Sequence, residues 1–155
     1  MRCAFAIVPA GQWDKSTAVD QVVLDSSERH RRRAVLTGER GFAFLLDLPH
    51  ATVLREGDGL VLDDGAMIRV AGRPEPLMEI SAASPSDLVR ISWHIGNRHT
   101  DVQIVGDKLR IRRDHVLEEM LHGLGAQLTH IEAAFDPESG AYEHHHDRDG
   151  HDHGA

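Results

Sequence analysis

From Glu143 onward the chain reads Glu143-His144-His145-His146-Asp147-Arg148-Asp149-Gly150-His151-Asp152-His153, so nearly every side chain is an imidazole or a carboxylate. These two groups share the ability to ligate borderline divalent metals. The segment has no large apolar residue to bury, and its composition predicts a disordered His-rich tail over residues 143–155 that belongs to no core. The interleaved Asp, Arg and Gly distinguish it from the unbroken His run of a vector tag. The chemistry indicated is metal binding, with His144, His145, His146, His151 and His153 as candidate ligands.

A second cluster lies upstream, Trp93-His94-Ile95-Gly96-Asn97-Arg98-His99. His99 falls just past the expected end of a helix, where the chain turns and side chains face outward. Two readings remain open from spacing alone. An imidazole there can interact with the helix dipole, worth from a few tenths up to ~2 kcal/mol, or it can bind a metal. His30, His50, His94, His122 and His130 have no paired ligand at a recognisable spacing and read as core or surface histidines. Asp114 sits where a helix N-cap is expected. The run Glu28-Arg29-His30-Arg31-Arg32-Arg33 reads as a solvated strand face, with a binding patch that docks a partner protein as the alternative, and Cys3 as a small buried residue. No His-Glu-x-x-His, Gly-rich phosphate loop, or nucleophile beside a credible base is present, which fits a carrier and not an enzyme.

Composition narrows the classes further. A formal charge of −8 over 155 residues argues against general nucleic-acid binding. The longest apolar runs, such as Phe42–Leu46, are far too short to span a bilayer, and the few apolar residues at the N-terminus read as an opening strand and not a signal peptide. The single cysteine rules out an internal disulfide and fits a reducing cytoplasm.

The elements that must position these groups are legible in the periodicity. The first part reads as strands: Ala4–Val8, Asp20–Leu24, Arg31–Leu36, Gly41–Leu46, Gly59–Leu62 and Met67–Val70, with Asp63-Asp64-Gly65 a strong hairpin signal. Gly72-Arg73-Pro74-Glu75-Pro76 breaks the pattern, so a small all-β domain is expected over residues 1–75. Residues 76–142 then alternate: a strand at Leu77–Ser81, a helix capped by Ser84 and ending near Gly96-Asn97, strands at Val102–Val105 and Leu109–Arg112 around Gly106-Asp107, a helix capped by Asp114 with Val116, Leu117, Met120, Leu121 and Leu124 on one face, and a strand at Gln127–Phe135. The order βαββαβ predicts a ferredoxin-like fold, making the whole an α+β protein.

Three strings, His94-Ile95-Gly96-Asn97-Arg98-His99 followed by Gln103, Asp114-His115-Val116-Leu117, and Phe135-Asp136-Pro137-Glu138-Ser139-Gly140-Ala141-Tyr142, resemble the UreE family of urease accessory proteins, and a His-rich tail follows them as it does in many members. The resemblance covers most of the chain. It implies a nickel metallochaperone whose first domain contacts partner proteins or peptides and whose ferredoxin-like domain dimerises. It also implies that His99 lies at the dimer two-fold, where each subunit contributes one imidazole to a shared ion. Some members bind a peripheral metal near the position of His115, but Arg113 places a cation beside it and disfavours a dication there.

The expectation is therefore a cytoplasmic homodimer that binds Ni²⁺ at His99 and the tail and delivers it to urease apo-protein alongside other urease accessory proteins, without nucleic-acid or membrane partners. Zn²⁺ or Cu²⁺ should substitute in vitro, since the ligands alone do not select nickel. The alternatives are a general His-rich divalent-metal buffer or zinc-dependent regulator, and a metal-dependent hydrolase.

Overall fold

A computed structural model describes residues 1–139. The chain divides into two compact units, one made of Met1–Pro76 with Glu132–Asp136, the other of Leu77–Ile131 with the described residues from Pro137 onward.

The first unit is a six-stranded sheet. Its strands are β1 (Arg2–Val8), β2 (Asp20–Leu24), β3 (His30–Thr37), β4 (Ala43–Val53), β5 (Gly59–Leu62) and β6 (Met67–Gly72), in the order β2-β6-β5-β1-β4-β3. β1 runs parallel to β4 and β2 parallel to β6, while the hairpins β3–β4 and β5–β6 are antiparallel. Period-2 alternation decides which side of each strand is buried. Phe44, Leu46 and Leu48 of β4 point inward with Val22 and Leu24 of β2, Leu60 and Leu62 of β5, and Ile68 and Val70 of β6. Each such side chain contributes about 1.5–3 kcal/mol by leaving water. Gly65 turns the β5–β6 hairpin at φ 86°, a backbone region that a Cβ disfavours. The Trp13 indole donates to the Gly57 carbonyl at 3.1 Å and ties the β1–β2 connection to this unit.

The second unit follows the expected ferredoxin-like order: β7 (Glu75–Ser81), α1 (Pro85–Asn97), β8 (Gln103–Val105), β9 (Lys108–Arg112), α2 (His115–Gly123) and β10 (Gln127–Ala133). The sheet order is β10-β7-β9-β8, so the first and third strands of the motif lie in the centre. Met78 and Ile80 of β7 and Leu109 and Ile111 of β9 meet Ile91 and Ile95 of α1 and Leu117 and Leu121 of α2.

Three details differ from the sequence reading. β7 starts at Glu75 despite Pro76. Pairing with β9 begins at Leu77, so the missing N–H of Pro76 costs that ladder no donor. On α2, Val116 and Leu124 are exposed and do not share the buried face. A nine-residue helix presents one narrow stripe; Val116 lies in its first turn and Leu124 is the C-cap just past its end. The strand expected to reach Phe135 ends at Ala133, and Phe135 itself is fully buried within the first unit.

Candidate metal centre

His99 is placed by the way α1 begins and ends. Ser84 caps the helix, its Oγ accepting from the Asp87 N–H at 3.2 Å, and Pro85 occupies the first turn. Ile91 and Ile95 fix the rotation of the helix by burying one face. The helix closes when the Arg98 N–H donates to the Ile95 carbonyl and the His99 N–H to the Gly96 carbonyl, both at 3.0 Å. His99 then adopts φ 55°, the left-handed region, and is the sole non-glycine residue to do so among those described. The turn projects its side chain away from the packed face, and His99 is exposed.

The His99 ring makes no hydrogen bond or ion pair among the described residues, so its backbone, and not its imidazole, satisfies the helix end. That leaves both ring nitrogens available. Beside it, α1 presents two large apolar side chains to solvent one helical turn apart, Val89 at 68% and Trp93 at 64% exposure. His94 is half-buried, its ring edge-on to Trp93 at 5.0 Å.

Among the described residues no three His, Cys, Asp or Glu side chains come together in a metal-holding group. His99 is therefore an exposed imidazole outside any such group among the described residues. His144, His145, His146, His151 and His153 lie outside the described residues.

Asp114 is an N-cap. Its carboxylate accepts from the Val116 and Leu117 N–H groups at 2.9 and 3.1 Å, which orients it toward the helix start. Arg113 turns its guanidinium to the Leu77 and Ile131 carbonyls. His115 is exposed and shares a shallow cavity with Arg113, Asp114, Glu118 and His130. The His130 ring contacts the Glu118 carboxylate at 2.5 Å, a pair the sequence reading missed. Glu118 lies on α2 and His130 on β10, and only the packing of helix on sheet brings them together.

The basic run also needs a correction. Arg29, expected on a solvated face, is buried to 1% exposure. Its guanidinium binds the Asp136 carboxylate and the Phe135 carbonyl, and reaches the Leu54 carbonyl at 3.3 Å. No local pattern marks one arginine of a run as the buried one; a partner more than a hundred residues away decides it. His30, Arg32 and Arg33 are exposed as expected, and Cys3 is half-buried.

Two family models match the chain, the UreE urease accessory protein N-terminal domain over residues 6–72 and its C-terminal domain over residues 75–155. The chain belongs to the UreE family. Proteins named urease accessory protein UreE are similar to it along most of its length. That of Rhodopseudomonas palustris strain HaA2 is 59% identical over 128 residues, covering 83% of this chain and 60% of the relative. That of Bradyrhizobium sp. strain BTAi1 is 55% identical over 91% of this chain and 68% of the relative. That of Rhodobacter capsulatus is 46% identical over 99% of this chain and 94% of the relative. The chain thus spans about three fifths of the length of some UreE relatives and nearly all of others. The two UreE models meet at Arg73 and Pro74, in the segment where β6 ends and β7 begins.

Proposed function

We propose that this protein is a nickel-carrying urease accessory protein that hands Ni²⁺ to urease during assembly of its active site, and that it is not itself an enzyme. The observation that carries this reading is His99, an exposed imidazole with no competing partner among the described residues, held at the end of a packed helix in a chain of the UreE family. The working unit is a homodimer. Val89 and Trp93, exposed on the helix that ends beside His99, supply the apolar area a second copy would cover. Symmetry would then set two His99 imidazoles against one ion, a partly organised site that neither copy has alone. His144, His145, His146, His151 and His153 complete the coordination shell, at the cost of ordering each contributing residue by roughly 1–2 kcal/mol. A cargo site with two fixed and several recruited ligands binds well and still releases. Neutral imidazoles accept Zn²⁺ and Cu²⁺ as well, so nickel is chosen by supply and by the receiving protein.

In this scheme residues 1–75 form the domain that docks on urease apo-protein and its other accessory proteins, residues 76–142 the metal-binding and dimerising domain, and residues 143–155 the His-rich tail. The protein works in the cytoplasm; no helix among the described residues is long and apolar enough to cross a membrane. The deciding experiment is a nickel titration of His99→Ala by calorimetry, together with urease activation in a host lacking its own carrier. The tightest site should disappear and activation at limiting nickel should fall, while the fold is kept. Full high-affinity nickel binding by the variant would overturn the assignment.

A further inference from the structure

β3 is the last strand of its sheet, so one of its two edges carries unpaired backbone groups among the described residues. The phase of that edge follows from the hairpin. The Gly38 N–H donates to the Phe42 carbonyl, and the register runs Thr37↔Ala43, Leu36↔Phe44, Val35↔Leu45, Ala34↔Leu46 and Arg33↔Asp47. In an antiparallel pair, hydrogen-bonded and non-hydrogen-bonded positions alternate. With Gly38 bonded to Phe42 at the turn, Leu36 and Ala34 face β4 with their backbone groups, and Thr37, Val35 and Arg33 direct their N–H and C=O groups outward.

The side chains at these outward positions stand on the exposed face of the sheet. Val35 is 61% exposed, opposite the half-buried Leu45, which in turn lies opposite Cys3 of β1. Two residues along β1, at that strand's register shift, Phe5 is 51% exposed. An apolar row thus reaches the free edge at Val35. One step of two residues further along β3 is Arg33, with Arg32 beside it at the register shift, and both are exposed and make no ion pair among the described residues. The chain as a whole carries −8, which makes this concentration of positive charge at one edge stand out.

We infer that the β3 edge binds an extended segment of a partner protein by strand addition, and that this segment carries an acidic residue and an apolar residue two positions apart. Backbone bonds to Arg33, Val35 and Thr37 would hold the segment, its apolar side chain would extend the Val35–Leu45–Cys3 row, and its carboxylate would meet Arg33 and Arg32. The spacing of two is imposed by the strand period and holds for either strand direction. Charged residues and register shifts also guard sheet edges against indiscriminate pairing. Here the guard and the selector coincide, since arginines that repel a basic or identical edge admit an acidic one. The inference rests on the reading of the first unit as the partner-docking domain and names the chemistry of that dock.

The test uses the full-length chain, isotope-labelled, and two synthetic peptides: one carrying Glu-Thr-Val in an extended, Thr-rich context, the other identical with Lys for Glu. The acidic peptide should shift the amides of Arg33, Val35 and Thr37 and slow their exchange, leaving Ala34 and Leu36 little changed, and the Lys peptide should not. Arg32→Glu with Arg33→Glu should weaken the acidic peptide by about tenfold or more and admit the Lys peptide; both side chains are exposed, and an unchanged spectrum elsewhere confirms the fold. Shifts confined to other surfaces, equal binding of the two peptides, or no binding would each overturn the inference. Sedimentation of the same variant with urease apo-protein separates the two levels. Loss of both peptide and urease binding supports the edge as the dock. Urease binding that survives the charge reversal overturns the edge and keeps the docking reading. Failure of the unmodified chain to bind any urease component removes the docking reading itself.

Discussion

Arg29 and Asp136 stand 107 positions apart in sequence and are bound to each other within the first unit, the arginine fully buried. The same guanidinium takes the Phe135 carbonyl, so Phe135 and Asp136 are fastened by one cation. Breaking a buried pair leaves the remaining partners desolvated and unpaired, which costs about 3–5 kcal/mol. Arg29→Met should therefore lower the urea midpoint strongly, while Arg32→Met changes stability by less than about 0.5 kcal/mol. Similar midpoints for the two variants would show that the buried pair carries no net stability.

Asp20 links acid stability to the hairpin turn. Burial alone would raise its carboxyl, but the backbone N–H groups of Arg40, Gln21 and Phe42, with the Arg40 charge, outweigh burial and hold it below the ordinary aspartate value. A carboxyl depressed in the folded state stabilises the fold above its unfolded pKa, about 3.9, and that contribution disappears as pH falls through the lower folded value. Asp20→Asn should be less stable than the parent near neutrality, with the gap closing below about pH 4. Chemical unfolding across that range checks it, and a gap that stayed constant would remove Asp20 from the acid response.

Asp114 separates capping from metal binding. Asp114→Ala should cost about 0.5–2 kcal/mol of stability through the lost α2 cap and leave the nickel stoichiometry unchanged. Loss of a bound nickel in this variant, read by equilibrium dialysis, would restore a peripheral site that includes His115.

The tail should add capacity and not stability. Truncation after Tyr142 removes His144, His145, His146, His151 and His153 together with no large apolar side chain. The number of Ni²⁺ ions bound per chain should fall while the apo-protein's Tm stays within a few degrees, a shift of the order expected for less than about 1 kcal/mol. A large loss of apo stability would contradict what the composition implies.

The elements were legible because their local signals agree. Ser84 with Pro85, and Asp114 before Val116 and Leu117, cap the two helices as their sequence implies, and Asp63-Asp64-Gly65 turns the hairpin it marks. The exposure of His99 also followed from its place after a helix end. What the sequence did not show depends on distant partners. The order of the first sheet places β1 beside β4 and β5, and β2 beside β6, a result of packing that no window along the chain contains. The burial of Arg29 depends on Phe135 and Asp136, and the Glu118–His130 contact on how α2 lies against β10.

If His99 binds metal as proposed, its left-handed backbone sets fold and cargo in opposition. An L-residue with a Cβ is disfavoured in that region by roughly 1–2 kcal/mol, while glycine accepts it freely. Replacing His99 by Gly would relax the turn, offset in part by the greater freedom of glycine in the unfolded chain. A screen for thermostability alone would then see little reason to keep the imidazole and would drift toward chains that fold at least as well and carry nothing. On the proposed role of His99, engineering this scaffold for robustness calls for holding position 99 fixed, because the imidazole's worth would be visible only when nickel is scarce.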